Sequence, residues 1–221
     1  MSDNQNTNSI YVNDFNESAV KEFKQKFEEL RASRFPIITI YIDSYGGEVY
    51  SLIAMLDIIK NSDVPVSTIC LGKAMSCGAI LLSAGTPGLR FIGEYSTVMI
   101  HDVATISFGK IEELMADVKE ANRLNDFIYD ILDNNCGVES GYFKDIVFKN
   151  KHANVYLSSS EAKKHHIVDH IGLPTLDSHF TFDVLNKVKE EKPKRTRKTK
   201  PKTKKKDTKK TKPKTKKKVK K

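Results

Sequence analysis

The chain has 221 residues, of which 37 are Lys or Arg and 28 are Asp or Glu, and this length is enough for one domain with a full hydrophobic core. Its three cysteines are odd in number and lack metal-ligand spacing, no signal-peptide pattern follows Met1, and no apolar run approaches the ~18 residues of a membrane span. These features disfavour a secreted disulfide scaffold, a metal site and a membrane protein, so we expect a cytoplasmic protein.

The formal charge of +9 is divided unevenly along the chain. Residues 192–221 hold 19 basic side chains and one acidic side chain, a net +18, whereas the other 191 residues are net −9. We predict a flexible N-terminus at 1–8, a folded domain at 9–178, a helical linker at 179–191 and a disordered Lys-rich tail at 192–221. The positive charge of the tail predicts binding to nucleic acid or to an acidic partner, and the absence of aromatic residues for base stacking predicts that this binding is nonspecific. The alternative is that the tail does no more than increase solubility.

The predicted elements alternate between strands and helices. In chain order, strands are expected at 9–12, 38–43, 65–70, 90–92, 97–101 and 154–157. Helices are expected at 17–33, 49–61, 75–83, 110–133, 141–148 and 158–165. This alternation predicts an α/β fold with right-handed crossovers. The helix at 110–133 is unusually long for a small domain, and we expect it to project and to pair with another subunit.

The stretch 71–81, LGKAMSCGAIL, places small residues on both sides of Ser76. Such residues indicate that another backbone or a substrate comes close, and a serine between a strand and a helix lies beside backbone N–H groups that could bind an oxyanion. Taken alone, the stretch favours a tight packing contact between a helix and a strand over a catalytic serine. The rest of the chain decides between these two interpretations.

Four separate motifs fit acyl transfer when they are taken together: YIDSYGGEV at 41–49, GKAMSCGA at 72–79, VMIHD at 98–102 and NVYLSSSEA at 154–162. They provide a Gly-Gly pair after a strand, a serine at a strand–helix junction and a histidine at a strand end. Their order and spacing resemble the caseinolytic ClpP peptidases over about residues 9–172. The resemblance implies a ClpP/crotonase-like spiral of ααβ units with a projecting handle helix.

The resemblance also implies catalytic roles for five residues. Ser76 matches the nucleophile, His101 matches the base, and Asn154 stands at the third position, where the family usually has Asp. The backbone N–H groups of Gly47 and Cys77 match the oxyanion hole. No metal or other cofactor is implied.

The same resemblance implies a polypeptide substrate and an assembly. An extended, unfolded polypeptide would bind along strand 90–92 and the loop 103–109 by strand addition. Subunits would form stacked homo-oligomeric rings through the handle helix, with an AAA+ unfoldase as a candidate partner. Since only residues 1–8 precede the first strand, unfoldase docking at the pore is the least supported of these expectations.

The residue at position 154 leaves several alternatives open. A neutral amide can orient an imidazole but cannot stabilise it by charge, so Asp102 and Asp145 are candidate substitutes. A catalytically weakened ring subunit with a scaffolding role and a viral capsid maturation protease are alternative functions. A crotonase-type acyl-CoA enzyme is disfavoured by the Ser76 and His101 motifs, and the Cys77 thiol is expected to face away from Ser76.

Overall fold

A computed structural model describes residues 9–174, and the predictions for residues 1–8, 179–191 and 192–221 lie outside this range. The strands are β1 (Ser9–Val12), β2 (Ile38–Ser44), β3 (Val66–Met75), β4 (Arg90–Ile92), β5 (Thr97–Ile100), β6 (Val155–Ser158) and β7 (His170–Ile171). The helices are α1 (Glu17–Ala32), α2 (Val49–Lys60), α3 (Cys77–Ser83), α4 (Ile111–Cys136), α5 (Tyr142–Lys149) and α6 (Ser159–Lys164). The two-residue β7 was not predicted.

The strands form one mainly parallel sheet with the order β1-β2-β3-β4-β7. Strand β5 pairs in parallel with β3, and β6 pairs antiparallel with β5. The side chains of Ile38, Ile40 and Ile42, on one face of β2, are fully buried, and Thr39 on the other face is buried as well, as expected for a central parallel strand. The predicted α/β fold with a parallel sheet is confirmed, and its geometry is consistent with the ClpP/crotonase class.

Strand β3 is the longest strand in the described part of the chain, and its two halves have different neighbours. Thr68–Cys70 pair with β4, whereas Lys73–Met75 pair with β5. The change of partner occurs around Gly72, which has a φ of +80° and donates its N–H to Ser96 Oγ at 2.9 Å. The predicted strand ended at residue 70 because the apolar run stops there, but sheet pairing carries the strand on to Met75.

Helix α4 contains 26 residues and is therefore about 39 Å long. Its C-terminal half packs into the domain through Leu124, Ile128 and Leu132, and the helix ends at Gly137, which is left-handed with a φ of 65°. Its N-terminal half leaves Ile111 and Met115 about 70% exposed. Within residues 9–174, no helix combines the length and the apolar character needed to cross a membrane.

Candidate active site

The register between strands β3 and β5 places the candidate site. Met75 lies opposite Met99, and the N–H of Ser76 donates to the carbonyl oxygen of Met99 at 2.8 Å. Ser76 and His101 therefore emerge at the carboxyl ends of two paired parallel strands. This pairing brings together two side chains that are 25 positions apart in the sequence.

Ser76 and His101 are directly bonded. The distance between Ser76 Oγ and His101 Nε2 is 2.8 Å. Ser76 has a φ of 54° and a ψ of −121°, a conformation that is costly for a residue with a side chain. The strained backbone presents the hydroxyl at the junction between β3 and α3, where it can reach the imidazole.

Two glycines allow the loop after β2 to approach this junction. A Cβ on Gly46, which has a φ of +105°, would lie 2.7 Å from the Cβ of Ser76. A Cβ on Gly47 would lie 2.5 Å from the carbonyl oxygen of Phe15. The Gly-Gly pair is thus required by two separate close contacts, one with the candidate nucleophile and one with the segment before α1.

The N–H groups of Gly47 and Cys77 have no protein acceptor among residues 9–174. In the bridge between Phe15 and Gly47, it is the N–H of Glu48 that donates to the carbonyl oxygen of Phe15, at 2.8 Å, which leaves the N–H of Gly47 unused. Cys77 is the first residue of α3, where the backbone N–H has no partner within the helix. Both N–H groups can therefore donate to a ligand.

The Cys77 side chain has a structural contact. Its Sγ lies 3.3 Å from the carbonyl oxygen of Gly47, and burial raises the pKa of the Cys77 thiol to about 11. The thiol is therefore protonated at neutral pH and is a poor nucleophile. It connects the start of α3 to the Gly47 loop.

Burial lowers the pKa of His101, and the negative charge of Asp102 partly opposes this shift. The imidazole is consequently neutral at pH 7, which is the form that can accept a proton from Ser76. Within residues 9–174, His101 Nδ1 has no hydrogen-bond partner.

Asn154 does not bond to His101 in this structure. Asn154 is exposed, and its backbone carbonyl oxygen accepts a hydrogen bond from Asn150 Nδ2 at 3.1 Å. Asp145 is also exposed, on α5, and its side chain makes no hydrogen bond within the described residues. The predicted third-position contact is thus not formed, although the catalytic role of Asn154 stays a prediction.

The residues around Asp102 were not identified from the sequence. The Asp102 carboxylate lies 2.7 Å from His152 Nδ1 and accepts hydrogen bonds from Asn125 Nδ2 at 3.1 Å and from Tyr129 Oη at 3.0 Å. Asn125 and Tyr129 are four positions apart and share one face of α4. That spacing was visible in the sequence, but nothing local connected it with position 102.

A cavity of about 290 Å³ opens beside Ser76 and His101. Its wall is mainly apolar, and Tyr45, Val103 and Ala104 are among the residues that line it. Other apolar lining residues include Val49, Leu52, Ile80, Met99, Ile100 and Ile128. The cavity can therefore accept an apolar side chain next to the Ser76 hydroxyl.

One expected substrate position is wrong. Strand β4 has β3 on one edge and β7 on the other, so no free edge is left at Phe91 and Ile92 for strand addition. The other expected element, the loop 103–109, does contribute to the cavity through Val103. No cluster of candidate metal ligands occurs within residues 9–174.

A serine hydroxyl bonded to an imidazole at a strand–helix junction, beside two available backbone N–H groups, is the arrangement used by serine hydrolases. The family described as Clp protease matches residues 16–174 of this chain. The chain therefore belongs to the Clp protease family, as the four sequence motifs had predicted.

Curated relatives support this assignment. The chain is 33% identical over 134 residues to "ATP-dependent Clp protease proteolytic subunit 2" of Frankia casuarinae, a match that covers 61% of this chain and 60% of the relative. It is 33% identical to "ATP-dependent Clp protease proteolytic subunit" of Deinococcus radiodurans over 134 residues, which are 61% of this chain and 64% of the relative. The matches therefore span less than two thirds of the length of these relatives.

Proposed function

We propose that this chain is a ClpP-like serine endopeptidase that hydrolyses peptide bonds of unfolded polypeptides. The observation that carries the proposal is the 2.8 Å contact between Ser76 Oγ and His101 Nε2. It joins a nucleophile to a base that is neutral at physiological pH.

In the proposed reaction, Ser76 Oγ attacks the carbonyl carbon of the scissile bond while His101 Nε2 takes the hydroxyl proton. The negative charge that develops on the carbonyl oxygen is stabilised by the N–H groups of Gly47 and Cys77. The bond between carbon and nitrogen then breaks, and His101 delivers the proton to the leaving amine. Water, activated by the same imidazole, releases the acyl group from Ser76.

The proposed substrate follows from the cavity. Its apolar lining fits an aliphatic or aromatic side chain on the acyl side of the scissile bond. Such side chains are abundant in the interiors of proteins and become accessible when a protein unfolds. The site would therefore favour polypeptides that have lost their tertiary structure.

We also propose that subunits assemble into rings through α4. Ile111, Met115 and Val118 in the N-terminal half of this helix are 58–72% exposed, an apolar face that a second subunit could cover. The names of the relatives describe a proteolytic subunit of an ATP-dependent protease, and we extend both properties to this chain as part of the proposal. A reducing, cytoplasmic setting is included in it.

The decisive experiment is covalent labelling with a fluorophosphonate probe, which reacts with an activated serine hydroxyl. We expect labelling of the full chain, loss of labelling in Ser76→Ala, and unchanged labelling in Ser18→Ala, which alters an exposed serine of α1. Hydrolysis of a peptide with an apolar residue before the scissile bond should follow the same pattern. Equal labelling of the wild type and Ser76→Ala would contradict the proposal.

A second candidate function is a ring subunit that lacks peptidase activity and acts as a scaffold. The observation that favours it is the unbonded His101 Nδ1, with an exposed amide at position 154. An assembled ring that neither reacts with the probe nor cleaves peptide would support this function over the first.

For the basic segment at 192–221, we propose nonspecific binding to polyanions through counterion release. The full chain should be retained on immobilised nucleic acid with a steep dependence on salt, and a chain that ends at Glu191 should not. Equal retention of the two chains would reject this part of the proposal.

A further inference from the structure

We propose that Asp102 is a positioning residue for the Ser76–His101 pair: it holds the strand end that carries His101 in place and supplies the negative charge that Asn154 lacks. The inference rests on the proposed peptidase function. It differs from the expectation of a substitute triad member, because Asp102 does not bond to the imidazole.

The first argument is that Asp102 connects three elements directly after the candidate base. Its carboxylate accepts hydrogen bonds from Asn125 and Tyr129 on α4, and it bonds to His152 in the segment between α5 and β6. The Asn125 side chain also accepts the N–H of Val103 at 2.9 Å. The backbone on the C-terminal side of His101 is thus fixed to α4 twice, while the N-terminal side is fixed by the pairing of β5.

The second argument is that the carboxylate is ionised beside the base. Burial alone would raise the pKa of Asp102, but the hydrogen bonds from His152, Asn125 and Tyr129 outweigh this effect and lower the pKa. The carboxylate is therefore an anion at neutral pH. In a half-buried site its charge favours the imidazolium that forms on His101 during the reaction.

The third argument concerns the other charged groups of this region. His152 and Tyr129 bond to Asp102, and the ammonium of Lys144 lies 2.6 Å from Asp126 Oδ1 and is more than half exposed. Among residues 9–174, Asp102 is the charged group that acts on the pKa of His101. The negative charge that would stabilise the His101 imidazolium therefore comes from Asp102, the next residue in the chain.

The test compares Asp102→Asn with the wild type. The amide preserves the shape and most of the hydrogen-bonding capacity of the side chain but removes its charge. We expect the peptidase kcat to fall roughly tenfold to hundredfold. The pH profile of probe labelling at Ser76 should also change: its acidic limb, the range in which labelling slows as the pH falls, should move to lower pH. Asp126→Asn, which alters an exposed carboxylate on α4, should change neither quantity.

A second substitution covers the case in which Asp102→Asn does not fold. His152 is exposed, with a φ of 59° that asparagine tolerates, so His152→Asn should fold. It removes one of the hydrogen bonds that hold Asp102 in place and lower its pKa, so kcat should fall, although by less than in Asp102→Asn.

The possible outcomes separate this inference from the function on which it rests. A wild-type chain that is not labelled at Ser76 would overturn the peptidase proposal, and this inference with it. If the wild type is labelled but Asp102→Asn changes neither the acidic limb of the pH profile nor kcat, the inference alone is overturned. Where that variant is unfolded, an unchanged kcat in His152→Asn has the same consequence.

Discussion

The strand ends that carry Ser76 and His101 and the segment 150–154 that carries Asn154 are held in different ways. The strand ends are fixed by the pairing of β3 with β5 and by the hydrogen bond from Ser76 N–H to Met99. The segment 150–154 is exposed throughout and contains two left-handed residues, Lys151 and His152. Its contacts with the core of the site are made through the His152 side chain rather than through Asn154.

The difference indicates which parts of the site are built into the sheet. A register shift of one residue would turn every side chain of β5 to the opposite face, so the sheet specifies the positions of Ser76 and His101 strongly. The position of Asn154 is specified by a short, exposed connection whose backbone hydrogen bonds are all local, within residues 146–154. We therefore expect activity to depend steeply on the strand ends and weakly on the amide at position 154.

The largest expected effect is that of His101→Ala. Without the imidazole, no group accepts the Ser76 proton, and kcat/KM for a peptide substrate should fall by roughly 10⁴- to 10⁶-fold. His166→Asn serves as a control, because His166 is exposed and lies outside the site. A decrease in kcat/KM of less than tenfold in His101→Ala would show that the strand ends do not hold the catalytic base.

Gly46→Ala should reduce activity by roughly 10²-fold or more, because its Cβ would displace Ser76. The matched control is Gly172→Ala. Gly172 has a φ of +107°, close to the +105° of Gly46, but its added Cβ would meet nothing within 4 Å. If the two variants lose activity equally, backbone strain rather than contact with Ser76 explains the effect.

The pH profile gives an effect of intermediate size. Only neutral His101 accepts a proton, and burial lowers its pKa below the usual value of 6.5. The value of kcat/KM should therefore be maintained as the pH falls to 6.5 and should decrease about tenfold per unit below the lowered pKa. A limb centred well above pH 7 would contradict the assignment of His101 as a base buried in its neutral form.

The smallest expected effect is that of Asn154→Ala. Because the Asn154 side chain is exposed and does not bond to His101, kcat/KM should change by less than about threefold. Steady-state kinetics with the peptide used for His101→Ala would measure it. A loss of tenfold or more would show that the segment 150–154 rearranges to bring the amide to Nδ1, which would erase the contrast between the two regions.

The sequence was sufficient to predict the strand ends but not the network around Asp102. Ser76 and His101 lie in short motifs whose position relative to a strand can be predicted from the neighbouring residues alone. The partners of Asp102 lie 23, 27 and 50 positions away, so they depend on how α4 and the α5–β6 connection pack.

The limit of prediction from local sequence also applies to one strand of the fold. Strand β7 contains two residues, too few for a periodic pattern, and it exists because His170 and Ile171 align with β4. The salt bridge between Arg90 and Asp169, two largely buried side chains whose Nη2 and Oδ1 atoms are 2.6 Å apart, fixes this alignment. Such pairing depends on contacts between distant segments, which the local pattern of residues does not reveal.

The φ of 54° at Ser76 implies that the backbone conformation that presents the reactive hydroxyl also lowers the stability of the fold. Holding a residue other than glycine in this region costs on the order of 1–3 kcal/mol. A chain with Ser76→Gly would release that strain and melt at a higher temperature, but it would have no hydroxyl to react. The native chain thus gives up folding free energy at the one position where its proposed chemistry takes place.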